Sequence, residues 1–289
     1  MGLISLEVIL SKALKNGYAV GHFDIHNLEW TQAVLEAAEE ENSPVILGVT
    51  EGAVHYFGGF SVAVTLVKSL INNMSITVPV VLHLDHGSSV ENCKKAIDAG
   101  FTSVMVDASH LPFEENVELT KQVVNYSSKH GVTVEAEVGS IGGKEDSLVE
   151  TNSIYADITE CEEMVKQTGI NCLAPALGSV HGLHKGEPNL GFDEMKEISH
   201  KTKIPLVLHG SSGLPEDQIS KSISLGTTKI NVNADNHLAF TNAVRDLLNQ
   251  DSEIYDSTKY IGIGREAVKK TVINKMRLFG SSGKGGNST

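Results

Sequence analysis

The sequence predicts a single-domain α/β protein, a (β/α)8 TIM barrel over residues 1–280 with a flexible tail over 281–289. Three observations predict it. Eight short runs rich in Val and Ile alternate with longer segments whose apolar residues recur at helical spacing. The chain has 289 residues, 40% of them hydrophobic, enough for one large core. No GxGxxG turn follows the first run, which weakens a doubly wound open sheet as the competing fold.

In order, the runs are YAVGHFD (18–24), VILGVT (45–50), VVLHLD (80–85), SVMVDA (103–108), VTVEAEVG (132–139), CLAPAL (172–177), LVLHGS (206–211) and KINVNA (229–234). Each is short enough for a buried parallel strand. Between them, NLEWTQAVLEAAEEENS, SVENCKKAIDAG, FEENVELTKQVVNYSSKHG and GFDEMKEISHKTK read as amphipathic helices, several ending near Gly or Asn. Two connections are unusually long. GSIGGKEDSLVETNSIYA follows the fifth strand and GSVHGLHKGEPNLGF the sixth, so both are candidate lids. The closing GSSGKGGNST is rich in Gly and Ser and reads as disordered.

A net charge of −13 and a pI near 5.3 argue against nucleic acid or an anionic membrane as partner. An anionic substrate stays compatible, because a few local donors bind phosphate inside an acidic protein. Cys93, Cys161 and Cys172 are odd in number and form no CxxC pair, which suits a reducing compartment. There is no basic-plus-apolar leader, and no apolar run approaches the roughly 18 residues of a membrane helix. A soluble, cytoplasmic protein is the expectation.

The active site of such a barrel lies at the carboxyl ends of its strands. Those ends carry Asp24, Thr50, Asp85 with His86, Asp107, Glu137, His181 just after strand six, His209, and Asn231 with Asn233. Three imidazoles from three strands, His86, His181 and His209, read as a metal site with an open position, for which Zn2+ suits neutral nitrogen ligands. The competing explanation is chance, since the chain holds 12 histidines. His83 reads as a core or supporting histidine and His184 as a solvated loop residue. Asp107 and Glu137 would orient the histidines or hold a displaced metal. Asp85, beside a ligand, is the best placed acid for proton transfer to a substrate oxygen.

The loops after strands seven and eight form the recurrent phosphate site of these barrels, and here they read HGSSG (209–213) and NVNAD (231–235). Small residues at 210–213 let backbone N–H groups approach a phosphate, and Lys185 could supply positive charge. An ordinary turn is the plain alternative for HGSSG.

LHLDHGSS, SVMVDASH, VEAEVGSIGGKED, APALGSVHG, LVLHGSSG and KINVN together resemble the class II, zinc-dependent ketose-bisphosphate aldolases, especially the fructose-1,6-bisphosphate branch, over about residues 3–283. The resemblance implies reversible aldol cleavage of a ketose 1,6-bisphosphate, fructose 1,6-bisphosphate first, to dihydroxyacetone phosphate and glyceraldehyde 3-phosphate. It implies zinc, a monovalent cation (Na+ or K+) near the phosphate, and a homodimer or homotetramer. His86, His181 and His209 become the zinc ligands, Asp107 and Glu137 the second or alternate metal positions, and Asp85 the acid/base. Glu145 matches the glutamate that moves the proton on the dihydroxyacetone phosphate carbon. Gly182, Lys185, Gly210, Ser211, Ser212, Asn231, Asn233 and Ala234 match the C1-phosphate pocket. Arg265 matches an arginine that reaches the other phosphate from a neighbouring subunit.

Departures cluster on one side. Where the family commonly reads AFN, this chain has His22, Phe23 and Asp24; where it has Ser, Gly and NVNTE, this chain has Thr50, Ser211 and NVNAD with Ala234. Asp24 and Thr50 border the aldehyde half in the family. His22 and Asp24 share one face of an extended strand and are expected to form a coupled pair. Alternatives remain. The substrate could be tagatose 1,6-bisphosphate or 6-phospho-5-dehydro-2-deoxygluconate, or the scaffold could be a non-catalytic phosphosugar-binding or adhesion protein. A Schiff-base aldolase would need a lysine near a strand's carboxyl end; CLAPAL has none, and Lys229 reads as starting strand eight at the wrong face.

Overall fold

In the computed structural model, residues 2–145, 148–150, 154–182 and 188–286 are described, without the side chains of 144, 145 and 148–150. Eight parallel strands close into a barrel. They are β1 (Val20–Asp24), β2 (Val45–Thr50), β3 (Val80–Gly87), β4 (Ser103–Val106), β5 (Thr133–Val138), β8 (Cys172–Pro175), β9 (Leu206–Leu208) and β10 (Thr227–Val232). The two short strands β6 (Gly143–Glu145) and β7 (Leu148–Glu150) form an antiparallel hairpin outside the barrel, within the long connection after β5. The (β/α)8 expectation therefore holds, and the first lid candidate contains a hairpin that its polar, Gly-rich sequence did not announce.

Helices surround the barrel. The first half of the chain supplies α1 (Leu6–Asn16), α2 (Leu28–Glu40), α3 (Glu51–Phe57), α4 (Phe60–Asn73), α5 (Val90–Ala99) and α6 (Phe113–Ser127). The second half supplies α7 (Ile158–Thr168), α8 (Phe192–Thr202), α9 (Glu216–Ser224), α10 (Ala234–Gln250) and α11 (Ser257–Phe279). Local chemistry sets several boundaries. Asn27 caps α2 by accepting from the Trp30 N–H at 3.0 Å, and Ser89 caps α5 by accepting from Asn92 N–H at 3.2 Å.

Strand alternation creates two separate cores. Outward residues such as Phe23, Leu47, Leu82, Val134 and Ile230 pack against the helices. Inward residues begin with an apolar floor of Val20, Ile46, Val81, Cys172 and Val207, which α1 plugs with Leu6, Ile9 and Leu10. Two residues further along their strands, His22, His83, Glu135 and Lys229 point inward and are fully buried. Two residues further again, Asp24, Asp85, Glu137 and Asn231 reach the mouth. The interior thus runs from apolar to charged to site-forming in three steps.

The segment after α11 packs back onto the barrel's helical shell. Ser281 is fully buried and its Oγ accepts from the Ser43 hydroxyl at 2.8 Å. The Gly283 and Gly285 N–H groups donate to the carbonyls of Glu41 and Asn42, at 2.8 and 2.6 Å. Residues 281–286 are therefore docked on the turn after α2, because their amides satisfy carbonyls at that helix end. Only 287–289 of the expected tail lie outside the described residues.

Candidate active site at the carboxyl end of the barrel

Strict alternation would send Asp85 and His86 to opposite faces of β3. The β3–β4 register shifts between Leu84 and Gly87, and His86 sits at that irregularity with φ +46°. The left-handed backbone turns the imidazole back toward the mouth, so both side chains serve one site. Immediately after β4, Asp107 Oδ2 lies 2.6 Å from His86 Nδ1.

His209 follows β9 and is fixed from below. Its Nε2 lies 2.9 Å from Glu135 Oε1, and Glu135 is clamped by Lys229 Nζ at 3.0 and 3.1 Å. Burial works against charge on Glu135, but Lys229 and the His209 bond hold its carboxyl well below the usual range. Burial also works against charge on Lys229, yet Glu135 and Asp85 keep its ammonium above the usual lysine value. Lys229 faces the barrel interior as the third residue of β10, two positions past the start expected for it. As a buried, paired cation it is no free amine for a Schiff base.

These two supporting bonds fix the tautomers. With Nδ1–H of His86 donating to Asp107 and Nε2–H of His209 donating to Glu135, the remaining lone pairs are on His86 Nε2 and His209 Nδ1. Those two atoms are 3.2 Å apart. Two acceptors at that distance repel unless a proton or cation sits between them. His181 completes the set, its ring centroid 5.1 Å from that of His86 and 6.1 Å from that of His209. Ligand atoms of all three lie within 4.8 Å of one another, and all three residues are buried. Three imidazoles with two oriented by carboxylates fit a zinc ion.

Electrostatics agree with a positive charge there. Burial opposes charge on His86, but Asp85 and Asp107 push it well above the ordinary histidine value, a preference that a metal ion at Nε2 satisfies equally. Burial holds His209 below that value despite its bond to Glu135. Burial, then the Asp107 charge, push Glu137 well above the usual carboxylate range. His86, Asp107 and Glu137 also place ligand atoms within 4.8 Å, so a metal could shift toward the two carboxylates.

Asp85 is fully buried, with Oδ1 3.6 Å from His83 Nε2 and Oδ2 3.9 Å from His86 Nε2. Burial opposes its charge, yet His22, His86 and His83 keep its carboxyl well below the usual range. His83 is an interior histidine, its Nδ1 2.8 Å from Ser103 Oγ. His22 and Asp24 do lie together, Nε2 to Oδ1 at 3.6 Å. Thr50 is placed at the mouth, but its Oγ1 caps α3 by accepting from Ala53 N–H at 3.1 Å.

The phosphate candidates also converge. Ser211 Oγ donates to the Asn231 carbonyl, and Ser212 Oγ accepts from the Asp235 N–H at 3.3 Å, joining the two loops. Asn233 and Ala234 begin α10, so its amino end faces this region. Gly210 has φ +62°, and a Cβ there would overlap the Val180 carbonyl oxygen. That contact brings the strand-seven loop against the segment preceding His181 and Gly182. Likewise Gly143, at φ +117°, lets the hairpin base touch the His181 backbone, whose N–H donates to Gly142 O at 2.8 Å.

Not every expected residue is placed. Glu145 lies in β6 with its side chain undescribed, and Lys185 and His184 lie outside the described residues. Arg265 sits on α11 against α2, bonded to Gln32 Oε1 at 3.0 Å and paired with Glu36. Glu135 was missed as a site residue. The signal was present in VEAEV, where Glu135 and Glu137 must share a face.

Comparisons with known proteins follow this geometry. Residues 4–284 match the family described as fructose-bisphosphate aldolase class-II. The chain is 64% identical over 284 residues to a fructose-bisphosphate aldolase of Geobacillus stearothermophilus, covering 98% of this chain and 99% of that one. It is 59% identical over 282 residues to one from Staphylococcus aureus, with 98% and 99% covered. Among solved structures, the YdjI aldolase of Escherichia coli K12 superposes with a TM-score of 0.86 at 36% identity, covering 98% of this chain and 100% of that one.

Proposed function

The chain belongs to the class-II fructose-bisphosphate aldolase family, and from that premise we propose how its own residues carry out the reversible cleavage of fructose 1,6-bisphosphate. The activity is an aldehyde-lyase reaction that yields dihydroxyacetone phosphate and glyceraldehyde 3-phosphate. His86, His181 and His209 hold a zinc ion, as the family's zinc dependence and the facing lone pairs 3.2 Å apart support. That pair of lone pairs is the observation that carries the assignment. When bound, the ion supplies Lewis acidity that stabilises negative charge developing on the substrate's carbonyl carbon and oxygen.

The protein's own groups do the remaining work. Asp85, held anionic by its imidazole neighbours, takes the proton of the C4 hydroxyl during cleavage and returns it in condensation. Glu145, carried on the β6–β7 hairpin, moves the proton at the dihydroxyacetone phosphate carbon. The stitch between Gly142 and His181 couples that hairpin to a ligand, so its placement and the site's geometry change together. Gly182, Lys185, Gly210, Ser211, Ser212, Asn231, Asn233 and Ala234 bind the C1 phosphate beside the amino end of α10, with a Na+ or K+ ion nearby. Asp24 and Thr50 border the aldehyde half. Asp107 and Glu137 orient the ligands and offer a displaced metal position.

The protein acts as a homodimer or homotetramer, in which Arg265 reaches the far phosphate of a neighbouring subunit. Among the described residues no single helix is long and apolar enough to cross a membrane, and the three cysteines are free and buried. Both facts suit the cytoplasm we assign.

The test is a cleavage assay on fructose 1,6-bisphosphate with the metal removed and restored. Chelation abolishes activity, Zn2+ or Co2+ restores it, and borohydride with substrate leaves it intact. Full activity in chelator, or trapping by borohydride, overturns the assignment. A kcat/KM panel that includes tagatose 1,6-bisphosphate ranks the substrates.

A further inference from the structure

Below the three-histidine site, a second set of ligand atoms converges inside the barrel. His22 and Asp24 project inward from β1, and Asp85 projects inward from β3. One ligand atom from each lies within 4.8 Å of the others. Between these strands, β2 contributes Gly48, paired with Asp24 on one side and His83 on the other. A Cβ at Gly48 would overlap His22 Nε2 and approach Asp24 Oδ1 to 2.6 Å. Both polar atoms therefore converge over the same bare backbone.

His22 is the residue that lacks an explanation. It is completely buried, and neither ring nitrogen makes a hydrogen bond. An imidazole left so in a barrel interior bears the full desolvation cost of its unmet polar groups. Lys229 is the only buried lysine or arginine among the described residues, and its ammonium is spent on Glu135. Asp85 is approached by the Asn231 amide at 3.4 Å and by His83 and His86 at 3.6 and 3.9 Å, none of them a short charge-assisted contact.

We infer that His22, Asp24 and Asp85 form a second divalent-cation site, distinct from the three-histidine site, for an ion that accepts mixed nitrogen and oxygen ligands. Its spacing fits. Ligands about 2.1 Å from an ion in a trigonal or tetrahedral arrangement stand about 3.4–3.6 Å apart, and His22 Nε2 is 3.6 Å from Asp24 Oδ1. One imidazole with two carboxylates selects Zn2+, Mn2+ or Co2+ over Mg2+ or Ca2+, which prefer all-oxygen ligands. The ion satisfies His22 and offsets the charge of two carboxylates at once. Because Asp85 is also the proton-transfer group of the proposed cleavage, an ion bound there occupies its carboxylate, so excess metal slows cleavage.

The experiment uses metal-free full-length protein loaded with Zn2+, freed of excess by gel filtration, and counted by atomic emission. Wild type holds two equivalents per chain. His22→Gln holds one, and His209→Ala also holds one, so loss of either site is read separately. Zinc-loaded wild-type crystals give an anomalous peak between His22, Asp24 and Asp85. Three results overturn the inference: no anomalous density at that point, a single equivalent in wild type, or two equivalents retained by His22→Gln. A second peak between Asp107 and Glu137 instead marks the displaced catalytic metal and also overturns it. The wild-type diffraction decides the matter even where a variant fails to fold.

Discussion

Replacing Glu135 with Gln separates what the buried ion pair contributes to stability from what it contributes to the metal site. Gln keeps an oxygen near His209 Nε2 but removes the charge facing Lys229. Lys229 and Glu135 are both fully buried and 3.0 Å apart. At an effective dielectric near 20, that contact is worth about 5 kcal/mol. Breaking one side of such a pair typically costs about 3–5 kcal/mol, because the other charge stays buried without compensation. Against a total stability of about 5–15 kcal/mol the loss is large, and it lowers Tm by roughly 5–8 °C. The second effect travels through His209, which loses a charged acceptor and binds zinc about 10–100-fold more weakly. The double variant Glu135→Gln with Lys229→Met distinguishes the two. Removing the orphaned ammonium restores most of the stability, whereas zinc affinity stays low. Urea melts of the metal-free proteins and competition with a chromogenic chelator measure each quantity. A Glu135→Gln protein within about 1 kcal/mol of wild type, well under the expected cost, refutes the reasoning. So does a double variant that binds zinc as tightly as wild type.

Three further outcomes follow from the site. Asp85→Asn lowers kcat for cleavage by roughly 100- to 10,000-fold while the three histidines keep their metal, whereas Glu145→Ala chiefly slows solvent exchange of the dihydroxyacetone phosphate proton. Equal loss of cleavage and exchange in both variants would contradict the division of roles. Gly210→Ala forces a left-handed alanine, costing about 1–2 kcal/mol, and its Cβ meets the Val180 carbonyl; Tm falls and KM rises together, and an unchanged Tm argues against the close approach. Arg265→Ala raises KM for fructose 1,6-bisphosphate without changing zinc content, measured by steady-state kinetics on the oligomer, and an unchanged KM removes Arg265 from the substrate site.

Eight strands were legible because each is an apolar run buried on both faces, a pattern that parallel sheets impose. The β6–β7 hairpin was not, since GGKED and its surroundings carry no period-2 apolar signal. The docking of 281–286 was also hidden. It rests on backbone amides of Gly283 and Gly285, and a composition rich in Gly and Ser says nothing about where amides find carbonyls. In the site, His86 and His209 stood out because each follows an apolar strand. Their orientation did not. The register shift that brings His86 beside Asp85 depends on how β4 pairs, which no local stretch of β3 encodes. Lys229 was read as the first residue of its strand, but β10 begins at Thr227, so Lys229 is its third residue and lies in the buried middle layer.

The barrel interior explains why such residues are present at all. An apolar middle layer at His22, His83, Glu135 and Lys229 would suit stability better, since a buried ion pair rarely outperforms well-packed hydrophobic groups. The floor of Val20, Ile46, Val81 and Val207, sealed by α1, and the larger shell between strands and helices supply the burial that offsets this. What the charged layer provides is direction. Lys229 holds Glu135, Glu135 holds His209 Nε2, and the opposite nitrogen is thereby aimed at His86 Nε2, 3.2 Å away. Asp107 does the same for His86 from the rim. Two of the three ligand lone pairs are thus fixed before any metal arrives, so less ordering is left to occur at binding.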